Sequence, residues 1–300
     1  MATLAMVTAD LDDLDVFSST TNITISTNYA RTGNKSFSAF GSTSQAVWPF
    51  PAQDEFYMRI AIYHLGLQFV QCRFRATDWT QCSVNLGTQQ VQAYYRASTT
   101  LLGQSIIPYI THSWTVFEIY VKIHNPNGHI IVKRNGQEVL NVTGRTNFDS
   151  ETVNNLQLSN DTTATNYWDD MLIDNANWPG LGGIEIVKPV SDGHYQEWDS
   201  GSYEDVIDDD DGTYLATDAE VAAKHSLILP AALANWKTPA AVGLCTRSGL
   251  SGAGSGNLRP FFRKNSTDTP GQEHLIAEGL ATLYDFQTEY PDEVGLEVIT

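Results

Sequence analysis

Hydrophobic and polar residues alternate through most of this chain with the two-residue period of a half-buried β-strand. The clearest case is WTVFEIYVKI at 114–123. There Trp114, Val116, Glu118, Tyr120 and Lys122 fall on one side, and Phe117, Ile119, Val121 and Ile123 on the other. The pattern predicts a strand with one face to a core. Asn135-Gly136 follows between two β-rich runs, and both residues tolerate the positive φ of a two-residue type I′ turn. Pairing around that turn sets Val132 opposite Val139, and Lys133 opposite Glu138 as a cross-strand ion pair. With Asn127-Gly128 as an earlier turn in a wider loop, three strands meander from Trp114 to Arg145.

The same signals predict strands at 23–25, 35–40, 56–63, 67–75, 82–87, 91–96, 152–158 and 167–174, at the spacing of a β-sandwich. The first fifteen residues, with Asp10, Asp12, Asp13 and Asp15, read as an acidic arm or as the lead into the first strand. A glycine and proline break, NWPGLGG at 177–183, marks a boundary between domains at 1–178 and 179–300. Beyond it, strands are expected at 184–187, 224–229, 240–247, 257–264, 282–288 and 294–299. A polar segment covers 191–214, and residues 271–279 form a helical insert or a loop.

Composition agrees with an all-β protein: of 300 residues only 17% are charged, and Gly, Thr, Asn and Ser separate short apolar runs. Seventeen Lys+Arg against 35 Asp+Glu give a net charge of −18, which repels a phosphate backbone and an anionic membrane surface. Neither nucleic acid nor membrane is expected as a partner. No run approaches the roughly 18 apolar residues of a membrane span. The acidic start also lacks the basic-then-apolar order of a secretory leader, so synthesis in a cytoplasm is expected.

Three cysteines do not make a disulfide framework. If Ala76-Thr77-Asp78 turns a hairpin, however, Arg75 pairs with Trp79 and Cys72 lies opposite Cys82. A cross-strand disulfide is then conceivable, with two reduced, half-buried thiols as the alternative.

Signatures of catalysis are weak. A sandwich glycosidase needs two carboxylates facing each other across a cleft, whereas Glu118 is alone on its strand and Glu185 has apolar neighbours. The glycine-rich run at 251–256 follows no strand-to-helix elbow of the serine-hydrolase kind. No cofactor is expected, apart from calcium as an option at two places. Asp208 and Asp210 belong to four consecutive aspartates before Gly212, without the alternating spacing of a calcium loop, and also fit a solvated turn or an acidic contact surface. Asp169 and Asp170 are the second option, and they equally suit a structural turn that accepts backbone N–H bonds. Tyr195, Trp198, Tyr203 and Tyr214 stand in the polar segment. They suit a sugar-stacking site or a protein interface, or else fill a core.

Several stretches resemble laminin-G-like, concanavalin-A-like jelly rolls: Thr32–Phe37, the order Trp114, Phe117-Glu118, Gly128, Asn135-Gly136, Gly144-Arg145-Thr146, and Tyr167-Trp-Asp-Asp-Met-Leu-Ile-Asp174. The last is similar to the final strand of such domains in tailed-bacteriophage proteins. Gly182-Gly-Ile-Glu-Ile186, Trp198, Glu204–Asp208, Asp211-Gly-Thr-Tyr214 and Gly295-Leu-Glu-Val298 resemble a C-terminal module of phage virion proteins.

The resemblance implies two β-sandwich domains, the first laminin-G-like. It also implies a non-enzymatic virion structural protein, made in the host cytoplasm and assembled as a homo-oligomer. As an accessory or decoration protein of the head or head–tail region it would contact capsid or tail subunits. The alternative is a fibre or spike adhesin that binds host surface glycans.

Overall fold

A computed structural model describes residues 3–9, 14, 16–160, 163–184, 186–206, 214–217, 223–230, 242–250, 256–276, 279–287 and 291–299, without the side chains of 245, 247, 249, 250 and 279–287. The chain divides into two units, Met1–Ile186 and Val187–Thr300. Among the described residues no helix is long and apolar enough to cross a membrane.

The strands of the first unit are β1 (Thr3–Val7), β2 (Ser19–Thr21), β3 (Ile23–Ser26), β4 (Ser36–Phe40), β5 (Gln45–Gln53), β6 (Glu55–His64), β7 (Phe69–Ala76), β8 (Trp79–Gly87), β9 (Gln90–Tyr95), β10 (Thr100–Ile106), β11 (Trp114–Lys122), β12 (Gly128–Arg134), β13 (Gln137–Gly144), β14 (Val153–Asn160) and β15 (Thr165–Asp174). They form two antiparallel sheets. One has the order β13-β12-β11-β6-β15-β4-β3, with β1 added beside β15, and the other the order β10-β9-β8-β7-β14-β5-β2.

The inner faces supply a common core: Phe56, Met58, Ile60, Phe117 and Ile119 from the first sheet, and Cys72, Phe74, Val84, Leu86 and Leu156 from the second, are all fully buried. Phe56 meets Phe74 edge-on at 5.4 Å between ring centres, which joins the two layers. Such packing is the two-sheet solution that period-two sequences require.

Several expectations need correction. The Asn135-Gly136 turn is present, with φ of 49° and 81°, and Lys133 does face Glu138, but a bulge moves the partner of Val132 from Val139 to Leu140. The hairpin after β7 turns through Thr77-Asp78 alone, pairing Ala76 with Trp79. A shift at Phe74/Arg75 then sets Cys72 opposite Val84, and Cys82 opposite Phe74. Both thiols are therefore free and fully buried, and burial pushes their pKa values up.

Strand β5 is hidden in the sequence by Pro49 and Pro51. They sit beyond Val47, where the short β2 no longer pairs with β5, so no ladder donor is needed on that side. At the other edge, β10 comes so close to β13 that a side chain on Gly103 would collide with Val142.

The expectation that β11 buries one face only also fails, because both of its faces are covered. Residues 178–184 lie across the outer face of the first sheet. Trp178 packs on Tyr57 and Tyr120, with the Lys133 ammonium 3.6 Å from its ring centre. The Gly180 N–H donates to Glu118 Oε1 at 2.7 Å, and Arg31 donates to the carbonyls of Leu181 and Gly182 at 2.6 and 2.9 Å. The strand expected at 184–187 is absent at the described positions 184, 186 and 187.

In the second unit β16 (Ser191–Gln196), β17 (Lys224–Ile228), β18 (Val242–Leu250), β19 (Gly256–Lys264), β20 (Thr267–Pro270), β21 (His274–Ile276), β22 (Gly279–Gln287) and β23 (Glu293–Ile299) follow. Six of them form a sheet of order β16-β17-β23-β19-β20 with β21 beside β19, while β18 pairs with β22. Leu244 of β18 packs on the buried Leu229, Phe262 and Val294 of the larger sheet. Within 271–279, read as helix or loop, residues 274–276 are a strand. The protein is all-β, with two β-sandwich units.

Candidate functional site

The four aromatic residues singled out in the second unit do not converge. Tyr195 belongs to an ion-pair network: its hydroxyl donates to Asp268 at 2.9 Å and accepts from Arg263 at 3.2 Å, while Lys224 reaches Asp268 at 2.9 Å. Trp198 donates its indole N–H to the Ala223 carbonyl at 3.4 Å and lies beside His225. Tyr203 opens a short 3₁₀ turn tied to Asp192 through its backbone N–H. Tyr214 is exposed. Among the described residues no ring contact joins any two of the four.

Asp169 and Asp170 are both fully buried on β15, with their oxygens engaged by the protein itself. Asp169 accepts from the Thr8 hydroxyl at 3.0 Å and from the N–H groups of Arg31 and Asp170 at 3.1 and 2.8 Å. Asp170 accepts from the Arg31 guanidinium, from the Thr32 hydroxyl at 2.6 Å and from the Ile184 N–H at 2.7 Å. Burial, and after it the neighbouring Asp170 carboxylate, push Asp169 up to about 6. The pair thus fastens the 178–184 segment and the β3–β4 loop to β15. Asp208 and Asp210 lie outside the described residues. Among those described, no group of three or more His, Cys, Asp or Glu is placed to hold a metal.

A different feature stands out on the outer face of the second sheet of the first unit: a cleft of about 290 Å³ lined by Arg73, Arg75, Asp78, Trp79, Thr80, Arg96, Ala97, Thr99 and Gln157. Strand alternation creates it. On β7, Cys72 and Phe74 point into the core, so Arg73 and Arg75 point out. On β14 the buried Leu156 and Leu158 likewise turn Gln157 outward, beside Arg73.

The β9–β10 turn makes one wall. It is folded down by Ser98, whose N–H donates to Ser83 Oγ at 3.4 Å and whose hydroxyl accepts from Gln71. The β7–β8 turn, with Asp78 and Trp79, closes one end.

The side chains of the cleft are pre-positioned. Arg75 donates to Gln157 Oε1 and to the Asp78 carbonyl, both at 3.1 Å, and Gln157 in turn donates to Gln45 at 2.9 Å. Arg73 donates to Gln71 at 2.6 Å. The Arg96 guanidinium lies 3.7 Å from the centre of the Phe148 ring, and Trp79 packs edge-on against the same ring at 6.0 Å. Gln81 holds the loop carrying Phe148, accepting three successive N–H groups from Phe148, Asp149 and Ser150. Trp79 nevertheless leaves 54% of its surface to solvent. A large ring held against Phe148 with about half of its surface open is a stacking platform that needs little ordering on binding.

No family model matches the chain, and no curated protein matches it. Solved structures similar to it include domain 4 of AbnA, a GH43 extracellular arabinanase from Geobacillus stearothermophilus, in complex with arabinotriose: 14% identity, 58% of this chain, 92% of that one, TM-score 0.43. The carbohydrate-binding module CBM66 from Bacillus subtilis matches at 10% identity over 52% of this chain and 96% of its own, TM-score 0.36. The metal-free carbohydrate recognition domain of Emp46p matches at 10% identity over 60% and 95%, TM-score 0.40. At such identities and scores the cleft has to be judged on its own side chains.

Sequence reasoning missed this cleft because its parts are far apart along the chain. Gln157 reaches Arg75 across 82 positions. The available signal was local: arginines alternating with buried apolar residues at 72–75, then a tryptophan directly after the turn.

Proposed function

We propose that the protein is a non-catalytic binding protein that takes a carbohydrate in the cleft at Arg73, Arg75, Trp79, Arg96 and Gln157. The observation that carries this reading is the exposed Trp79 ring, braced on Phe148 beside a row of fixed amide and guanidinium donors. Sugars present an apolar ring face and a fringe of hydroxyls, and this combination of a flat ring and oriented polar groups complements both. Glu118, the carboxylate considered for catalysis, is buried under Gly180 rather than placed at the cleft. The likeness to carbohydrate-binding sandwiches agrees with this reading without adding to it.

The experiment is a glycan array probed with the whole chain and with Trp79→Ala. Binding of defined saccharides by the native chain, lost in the variant while near-ultraviolet circular dichroism is kept, is expected. Equal binding by both proteins overturns the site.

A second reading, a virion structural protein joined to capsid or tail subunits or to copies of itself, is favoured by one feature. The loops at one end of the second sheet are laced together by Thr88 N–H to Gln68 O and Ile107 N–H to Gln89 O. They present Leu67, Ile106 and Tyr109 at 65%, 85% and 52% exposure. Apolar side chains grouped in this way suit a subunit contact. Light scattering on the purified chain tests it: a monomer at high concentration removes self-association from this reading.

A further inference from the structure

We propose that the saccharide taken by this cleft is an acidic one, its carboxylate or sulfate held by Arg75 and Arg96; the proposal rests on the reading of the cleft as a carbohydrate site. The chain has twice as many acidic as basic residues, 35 against 17, yet the cleft reverses that ratio, with three guanidinium groups and one carboxylate, Asp78, in its lining. The adjoining loop carries Arg145 against Asp149 and Glu151.

The partners that orient Arg75 and Arg96 are neutral. Gln157 Oε1 and a backbone carbonyl hold Arg75, and the Phe148 ring holds Arg96. Among the described residues neither Arg75 nor Arg96 forms an ion pair. Their charge therefore remains available to an incoming anion. By contrast, Arg259 and Arg263 of the second unit are paired with carboxylates.

Planar guanidinium forks match the paired oxygens of a carboxylate or sulfate. A protein of net charge −18 repels acidic polymers over its surface at large. A local positive cleft with a stacking ring at one end supplies the attraction that such a ligand needs.

Isothermal titration calorimetry on the whole chain tests this with three probes: an oligogalacturonate, the same oligomer with its carboxyl groups reduced to alcohols, and a sulfated oligosaccharide. An acidic probe is expected to bind roughly tenfold or more tighter than the reduced one, and to weaken as salt is raised from low to physiological ionic strength. Arg75→Gln and Arg96→Gln should each narrow that preference, weakening the acidic probe more than the reduced oligomer, while near-ultraviolet circular dichroism is kept.

A preference for the sulfated over the carboxylated probe, or the reverse, identifies which acid the forks accept and supports the proposal either way. Equal binding of acidic and reduced oligomers, abolished by Trp79→Ala, overturns the acidic preference and leaves the carbohydrate site standing. Failure of every probe to bind, or binding indifferent to Trp79→Ala, overturns both.

Discussion

Replacing Asp170 should release the segment that covers the first sheet, and the structure sets the size of the effect. Its carboxylate is fully buried and accepts from Arg31, Thr32 and the Ile184 N–H, while the Arg31 side chain keeps only 17% of its surface in solvent. Asp170→Ala leaves a guanidinium without its counter-charge and a buried N–H without an acceptor.

Breaking a buried pair costs about 3–5 kcal/mol, and an orphaned donor about 1–3 kcal/mol. Arg31 can turn partly to water, so the low end of both ranges applies. The backbone adds to this: Asp170 sits at φ 51°, a conformation that aspartate and asparagine tolerate and that costs alanine about 1 kcal/mol more. A total near 5 kcal/mol follows, roughly a 15 °C fall in melting temperature for a unit of this size.

Asp170→Asn keeps an acceptor and the backbone preference and should lose about 2 kcal/mol. Asp170→Gly relieves the backbone but not the orphaned donors, and should resemble alanine more than asparagine. The assay is a urea titration followed by near-ultraviolet circular dichroism, with chymotryptic cleavage after Leu181 as a local probe. Loss of less than about 1 kcal/mol in the alanine variant, with Leu181 still protected, would refute the role assigned to the pair.

Asp169, raised to about 6 by burial and then by Asp170, lies above the unfolded value of about 3.9. Its contribution to stability is therefore fully present below about pH 4 and lost as pH rises through 6. The first unit should weaken by up to about 3 kcal/mol across that window. Asp169→Asn should flatten this slope, and an unchanged slope in that variant contradicts the assignment. Cys72 and Cys82, both fully buried with raised pKa values, should resist thiol reagents in the native Cys245→Ser protein and react once urea unfolds it. Rapid native labelling would show that the sandwich opens there.

The sequence by itself determined the all-β class and most strand positions, because alternation records which residues face a core. It also determined the Asn135-Gly136 turn, whose φ values few other residue pairs adopt. Strand β5 escaped because prolines oppose a strand everywhere except at an unpaired edge, and sheet order is not written locally. A bulge moved the partner of Val132 by one position, and a tighter turn together with a bulge moved that of Cys72 by two, from Cys82 to Val84; turns and bulges set the pairing between strands, and alternation within one strand does not record them.

Asp169 and Asp170 were legible as a motif, whereas their donors, Thr8, Arg31, Thr32 and Ile184, come from both ends of the unit. Tyr195 and Trp198 looked exposed among polar neighbours, but their side chains are engaged by residues distant in sequence: Asp268 and Arg263 for Tyr195, and the Ala223 carbonyl and His225 for Trp198. Only the tertiary structure decided that Arg73, Trp79, Arg96 and Gln157 share one cleft. Alternation says that a side chain points away from the core, and strand pairing alone says what stands beside it.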